Sequence, residues 1–472
     1  MQEKLESSND SLQNTPPHQG KDVKEDVQSS EFSFDEHDLD ELRGFLYKQR
    51  EQLQNRMHLS PQTKPDVHIV LGNESADMDS IISSIVRAYQ LFLVGENDAL
   101  YLPYINIPRE ELSLRKDVQY LFEGLGISAE NLSYIDDPIS LALLNQANLL
   151  KLHLVDHNEL NPDQSYLVNT VVDIIDHHSD AKINYPALKQ KTIKVIGSCT
   201  CLVANEMLKV LPIEKMPKAL AGLILAPILI DTSNLKSKEK TTSEDIRINN
   251  ILEERIGDKM PSNYYETLRL KKEDTSGLSH KLLLLKDFKK FNAGEVTYGM
   301  STLVSSKGFS FENLDELLPD FEAISEKKGL DLLVLLMPYD QTKSPRRKVV
   351  IYSKHLDIIT TLNQLMLNNG VLNEKGITLE NKNTNVVYYA FQQFLSRKLL
   401  QPVMNELLTS EPVLACYGQI NGLNQGGVTA KAKQSSMVAN ASLGFLTTVA
   451  KTKEQMNPEM KDDDHHENTN FL

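Results

Sequence analysis

Between residues 67 and 257, short apolar runs alternate with longer amphipathic segments, and this alternation narrows the fold more than any other feature of the chain. Runs at 67–71, 99–107, 132–135, 152–155, 171–175 and 192–196 have the length and composition of strands. Segments at 80–94, 110–125, 138–146, 198–210 and 219–230 have helical spacing or length, and a polar helix follows to about residue 257. Strands interleaved with helices imply a parallel sheet with right-handed crossovers and helices on both faces. In such a sheet, ligands bind beyond the carboxyl ends of the strands. The polar residues that follow each apolar run therefore carry most of the functional information.

The stretch VVDIIDHHSD, from Val171 to Asp180, delivers Asp176, His177 and His178 in a row to one strand tip. A carboxylate and two imidazoles there can hold a divalent metal and touch an anionic substrate. Alone, the triplet is better read as a helix-capping Asp with two solvent-facing histidines. Three further segments change that weighting. Asp77 and Asp79 lie two apart after the first strand, a spacing that can aim both carboxylates to one side. Asp156 ends the fourth strand within LHLVDHN, and Asp231 closes the apolar run at 219–230. Each acid by itself is most simply a helix cap; four such segments in series point to metal. Hard oxygen ligands mixed with imidazole suit Mn²⁺ or Mg²⁺, with Co²⁺ or Zn²⁺ as substitutes. So many converging acids favour two ions over one, a pair able to activate a water for in-line attack on phosphorus.

Composition limits the alternatives. The chain has 472 residues, room for two or more domains, and no run approaches the length of a membrane span. Its formal net charge of -15 argues against a general nucleic-acid binder, and it has no Trp to build a base-stacking ladder. Local charge still governs a polyanion site. The acidic N-terminal segment lacks an apolar core, so neither a secretory nor a transit peptide is expected. Three cysteines, Cys199, Cys201 and Cys416, suggest reduced thiols, packing roles and a cytoplasmic address. Residues 1–35 and 451–472 have disordered composition, and His465 and His466 in the second tail are assigned no role. A leading helix is expected at 36–57, a hinge in MPSNYYETLRLKKEDTSGLS, and a second α/β domain from 263 to 450. That second domain should hold strands at 296–302, 330–337 and 348–353, a helix at 314–328, and helices around Tyr388 and Asn440. The metal-binding domain then covers 36–262.

Taken in order, NESADMDS, VDHN, DHH and LIDT resemble the four motifs of the DHH phosphoesterase superfamily. Within it the chain resembles the cytosolic exopolyphosphatase branch, kin to family II inorganic pyrophosphatases and to the prune proteins. Ser396-Arg397-Lys398 followed by Pro402 resembles the signature of the DHH-associated substrate domain, and LLLLKDFKKF resembles its opening helix. The resemblance implies a parallel-sheet DHH domain, a smaller α/β domain and an active site in the cleft between them. It assigns Asp77, Asp79, Asp156, His177 and Asp231 as metal ligands, with Asp156 bridging both ions. His178 would face the substrate phosphate, and Arg397 and Lys398 would grip it; Lys289 is a third basic contact, with Lys286 next in order. Family II pyrophosphatases open the first motif with a metal-binding His where this chain has Asn73. An amide is the poorer transition-metal ligand, so Mg²⁺ should serve nearly as well as Mn²⁺. The prune branch usually lacks the second His of the triplet, and His178 is present here.

The implied activity is exopolyphosphatase action, cleavage of a phosphoanhydride bond to release Pi from the end of inorganic polyphosphate by a monomer. A longer basic track would be needed, with Lys236, Lys238, Lys240, Lys343, Arg346, Arg347, Lys348, Lys431 and Lys433 as candidates, each as readily a solvated loop. The alternatives are a pyrophosphatase, a prune-like nucleotide phosphodiesterase, and a non-enzymatic polyphosphate-binding regulator.

Overall fold

The computed structural model describes residues 34–35, 37–56, 66–303, 314–338, 347–368, 377–379, 386–391 and 397–420. Among these residues twelve strands run in chain order: β1 (Val67–Leu71), β2 (Leu100–Ile105), β3 (Ser133–Tyr134), β4 (Leu150–Val155), β5 (Val171–Asp176), β6 (Gln190–Ile193), β7 (Phe288–Ala293), β8 (Val296–Thr302), β9 (Leu332–Pro338), β10 (Arg347–Tyr352), β11 (Ile377–Leu379) and β12 (Val386–Phe391). The helices are α1 (Asp40–Arg56), α2 (Met78–Val94), α3 (Lys116–Gly124), α4 (Leu141–Gln146), α5 (Cys199–Val210), α6 (Lys218–Asp231), α7 (Ser243–Ile256), α8 (Tyr264–Glu273), α9 (His280–Leu285), α10 (Leu314–Lys328), α11 (Leu356–Asn368), α12 (Arg397–Leu408) and α13 (Glu411–Ile420).

The first sheet has the order β3-β2-β1-β4-β5-β6, and every neighbouring pair is parallel. Side chains of β1 alternate between two cores. Val67, Ile69 and Leu71 join the core that includes Leu141 and Leu144 of α4, while Val70 joins the core built on α2, α5 and α6. The chain leaves β1 toward β2 on one side and later returns to place β4 on the other. The gap between β1 and β4 is thus the topological switch point, the natural ligand site of an open parallel sheet. Register fixes what meets there. Leu71 pairs with Leu154, and Val155 pairs with Ile175, so the residues after β1, β4 and β5 emerge side by side.

The second sheet has the order β11-β12-β10-β9-β8-β7, with β8 and β9 parallel and the other pairs antiparallel. Its middle strand β9 is apolar throughout because both faces are covered. Leu332, Val334 and Leu336 enter one core, and Leu333, Leu335 and Met337 the other. The two sheets are joined by named contacts. Leu114, from the turn before α3, packs into the core with α9 and α10, and Lys290 pairs with Asp163 at 2.9 Å. Lys327 pairs with Glu110 at 2.7 Å and Lys328 with the buried Glu111 at 3.2 Å.

Three sequence expectations need correction. The expected hinge contains α8, whose Tyr264 and Leu268, four apart, are buried against the first core; the Tyr264 hydroxyl donates to Gly222 O at 2.9 Å. The charged residues around that pair hid its helical spacing. The segment LLLLKDFKKF is not one helix: α9 ends at Leu285, and β7 begins at Phe288 and pairs with β8. Around Tyr388 lies strand β12, as its β-branched and aromatic run VVYYAF favours. The helix expected near Asn440 lies outside the described residues. No helix among the described residues is long and apolar enough to cross a membrane.

Candidate metal and phosphate site

The loop after β1 is built around Asn73. Its Oδ1 accepts from Ser75 N at 2.9 Å, Ser75 Oγ at 2.7 Å and Ala76 N at 3.0 Å, closing a tight turn into α2. Gly72, just before it, passes so close to α2 that a Cβ there would collide with Ser80 Oγ. Asp77 caps α2, accepting from Ser80 N at 3.1 Å. Asp79 lies in the first turn of α2 and is almost fully buried, turned toward the N-terminus of α5. Its Oδ1 accepts from Ser198 Oγ at 2.7 Å, Thr200 N at 2.8 Å and Thr200 Oγ1 at 2.5 Å, and its Oδ2 from Cys199 N at 2.7 Å. These bonds hold the carboxylate rigidly while leaving lone-pair capacity on Oδ2.

Asp156 follows β4 with φ of 61°, a left-handed conformation that costs a non-glycine residue on the order of 1 kcal/mol. Ala76, one residue before Asp77, and Ser233, Asn234 and Leu235, just after Asp231, are left-handed as well. Several strained turns therefore gather at one end of the sheet. Asp156 is buried, and its Oδ2 receives the Asn73 amide N–H at 2.7 Å. The amide oxygen is occupied inside the loop, so Asn73 acts as a hydrogen-bond donor to Asp156.

The DHH triplet divides its labour. Asp176 is fully buried, and its Oδ1 accepts from His177 N at 2.7 Å, His178 N at 3.2 Å and His178 Nδ1 at 2.9 Å. Asn158 Nδ2 donates to its other oxygen. Burial opposes its charge, but these donors prevail and hold the carboxyl down at about 2. Asp176 is a scaffold that aims the two rings. With Nδ1 engaged, His178 keeps Nε2 outward on a side chain that is 58% exposed. His177 Nδ1 donates to Ile196 O at 3.0 Å, which turns its Nε2 toward Asp156 Oδ1 at 3.1 Å and Asp79 Oδ2 at 3.8 Å.

These residues fit a divalent cation. Ligand bonds of about 2.1 Å at right angles place donor atoms about 3 Å apart, close to the spacing of His177 Nε2 and Asp156 Oδ1. Ligating atoms of Asp156, His177 and His178 all lie within 4.8 Å of one another. Asp231 Oδ2 is buried with no hydrogen-bond partner among the described residues. Burial, and then the charges of Asp79 and Asp77, push the carboxyls of Asp156 and Asp231 well above the usual range, so the four acids share one field. Burial lowers the His177 imidazole, but the Asp79 charge, the Ile196 carbonyl and the Asp231 charge outweigh it and the net shift is upward. A cation between these groups relieves that mutual repulsion.

A cavity of about 470 Å³ opens beside this cluster, lined by Asn73, Asp156, Asp176 and His178 from the first sheet and Lys289 from β7. Asp77, Asp79, His177 and Asp231 lie off its wall. Arg397, at the start of α12, is half-buried and paired with Asp287, while the Lys398 side chain lies outside the described residues. Lys286 Nζ donates to Lys272 O at 2.8 Å and is turned back toward the chain before α9. Of the basic-track candidates, Lys236, Lys238 and Lys240 are exposed and off the cavity wall, and Lys343, Arg346, Lys431 and Lys433 lie outside the described residues. Sequence reasoning missed Asn158, the scaffold role of Asp176, and Arg115. The buried Arg115 donates through Nε to Ala76 O at 2.9 Å and through Nη1 to Lys286 O at 3.2 Å, holding the first-motif loop against the second sheet. Only the VDHN motif itself pointed at Asn158; nothing local marks Arg115.

Two family descriptions match the chain, "DHH family, N-terminal domain" over residues 68–228 and "DHHA2 domain" over residues 266–407. A Schizosaccharomyces pombe protein named "Putative exopolyphosphatase" is 33% identical over 334 residues, covering 66% of this chain and 84% of its own. This chain belongs to the DHH phosphoesterase family. The human protein "Exopolyphosphatase PRUNE1" is 29% identical, over 74% of this chain and 77% of its own length. A Lactococcus lactis protein named "Probable manganese-dependent inorganic pyrophosphatase" is 28% identical over 36% of this chain and 50% of its own. The DHH match spans the acids and imidazoles from Asp77 to His178, and the DHHA2 match spans Lys289 and Arg397.

Proposed function

We propose that this DHH-family hydrolase of phosphoanhydride bonds removes terminal phosphate, as Pi, from linear inorganic polyphosphate in a reaction that requires Mg²⁺ or Mn²⁺. The observation that carries this reading is the meeting of Asp156 and His178 with Lys289 on one cavity wall, with His177 Nε2 3.1 Å from Asp156 Oδ1 behind it. The names borne by its relatives point the same way.

Asp77, Asp79, Asp156, His177 and Asp231 would hold the two ions. Bound there, divalent ions supply an acidified water and offset negative charge on the phosphoryl oxygens. Asp79 is held by α5, and His177 by the Ile196 carbonyl, so both keep their ligand atoms aimed without further reorganisation. Asp176 fixes His178 so that Nε2 can donate a hydrogen bond or a proton to the departing phosphate. Lys289, with Arg397 and Lys398 at the start of α12, binds phosphates on the leaving side and steadies charge that builds there. The chain divides after α8, which packs on the first core, into a catalytic and a phosphate-binding domain, and substrate would enter between them.

Two features favour polyphosphate over pyrophosphate. Asn73 engages its amide oxygen inside the loop and offers no imidazole for a tighter transition-metal site. The cavity also continues past the catalytic residues along Asn158, Asn161 and Gln164, leaving space for more than two phosphates. The test is Pi release with Mg²⁺ or Mn²⁺ from pyrophosphate, tripolyphosphate and longer chains. Release from tripolyphosphate and longer substrates, with little from pyrophosphate, supports the proposal. Release from pyrophosphate alone would replace it with pyrophosphatase activity.

A further inference from the structure

Asp287 lies between α9 and β7 and carries no role in the motifs read above. Arg397 donates to it twice, through Nη1 to the backbone oxygen at 2.7 Å and through Nη2 to Oδ1 at 2.9 Å. Asp287 O also receives Thr302 N at 3.4 Å, which extends the β7–β8 ladder back by one residue. Residues two apart on an extended strand put their side chains on the same face, so Asp287 and Lys289 share one. The guanidinium drawn to Asp287 is thereby set beside the lysine that lines the cavity. Burial raises the Glu74 carboxyl on the cavity wall, and the charges of Lys289, Lys328 and Arg397 offset part of that rise, so all three cations lie within electrostatic reach of it.

The other end of this segment is anchored too. Arg115 reaches Ala76 O in the first-motif loop and Lys286 O, the residue before Asp287. Hydrogen bonds therefore run from the metal-side loop through Arg115 to residues 286 and 287, and on to Arg397. A guanidinium has five N–H groups, and Asp287 takes two of them, leaving the rest for an anion. An isolated surface ion pair contributes little, but one tied to both a side chain and a backbone carbonyl restricts a long side chain to a single arrangement.

We infer that Asp287 is a positioning residue that holds Arg397 next to Lys289 ready for a substrate phosphate; this rests on the phosphate-gripping role proposed for Arg397. Its removal should weaken substrate binding and leave the chemical step alone. Asp287→Ala is expected to raise KM for tripolyphosphate by about tenfold, with kcat within about threefold, the scale of one charge-assisted hydrogen bond. Asp287→Asn keeps an Oδ1 acceptor and should stay within about threefold of wild type in both constants. In an Arg397→Ala background, Asp287→Ala should have no further effect on KM. Asp287 is 43% exposed on its side chain, so both substitutions should leave the fold intact, with unfolding curves as the control.

An unchanged KM in Asp287→Ala, or an equal KM increase with Arg397 already removed, overturns the inference while leaving the hydrolase reading in place. Absence of Pi release by the wild type from any phosphate chain defeats the functional reading instead. In that case the inference stands or falls on tripolyphosphate titrated calorimetrically into metal-free protein. Weaker binding by Asp287→Ala than by Asp287→Asn supports it, and equal binding overturns it.

Discussion

Replacing Asn73 tests whether its amide organises the site or ligates an ion. The side chain donates to Asp156 Oδ2 at 2.7 Å and accepts three bonds from Ser75 and Ala76. A hydrogen bond to a charged group contributes about 1.5–3 kcal/mol and each neutral one about 0.5–1.5 kcal/mol. Because the site is half-open and water replaces part of the loss, Asn73→Ala should destabilise metal-free protein by about 3 kcal/mol. Asn73→Asp keeps the loop acceptors but sets a second carboxylate against Asp156. At 2.7 Å and an effective dielectric of about 20, that repulsion is about 6 kcal/mol before any rotation relieves it. The aspartate variant should therefore be the less stable of the two without metal and should recover most when Mg²⁺ is added. Urea unfolding in EDTA and in saturating Mg²⁺, with calorimetric Mg²⁺ titration, measures both effects. If Asn73→Ala were neutral in EDTA yet lost tenfold or more in Mg²⁺ affinity, the amide would be a ligand and this account of the loop would be wrong.

Other perturbations address the frame around the site. Arg87 and Asp173 form a buried pair at 2.7 Å that ties α2 to β5, with His153 as a further partner of Asp173. Arg87→Ala should cost about 3–5 kcal/mol in urea unfolding, since it strands a buried carboxylate; a loss under 1 kcal/mol would show that the pair is dispensable. Asp137 joins Arg50 at 2.6 Å and Arg109 at 3.1 Å. Burial raises its carboxyl, but the two arginines and a backbone N–H outweigh that and hold it below the usual range. A depressed folded pKa gives stability that is complete above the unfolded value near 4 and is lost as pH falls through the folded one. Asp137→Asn should thus be less stable than wild type at pH 7 by about 2 kcal/mol, with the difference closing below about pH 4. A gap that does not narrow at all as the pH is lowered below about 4 would mean the loss is one of packing.

The first sheet was open to a reading from sequence because its strands are covered on both faces and so stand out as largely apolar runs, broken only by Asp173 within Val171–Asp176 and by Lys151 and His153 within Leu150–Val155. The acids that follow them were visible for the same reason, each at the end of such a run. The second sheet was harder. Strand β7, FKKFNA, is only half-buried and carries two lysines, so it lacked the apolar signature and merged with the leucines of α9. Helix α8 buries only Tyr264 and Leu268 within a charged segment. Long-range partnerships had no local mark at all. Arg115 and Lys286 lie 171 residues apart in sequence and meet only when the two sheets come together, and the Asp287–Arg397 pair closes a segment of 110 residues.

Thermal unfolding with and without metal tests most directly the proposal that Asp77, Asp79, Asp156, His177 and Asp231 together hold divalent cations. Wild-type protein stripped with EDTA should gain about 2.7 kcal/mol for each ion bound, with Mg²⁺ or Mn²⁺ at a hundred times the dissociation constant. Asp156→Asn removes one charge from the acid cluster, so that variant should unfold at a higher temperature than wild type in EDTA and gain almost nothing from metal. Equal metal-induced shifts in wild type and Asp156→Asn, or none in wild type, would contradict the account.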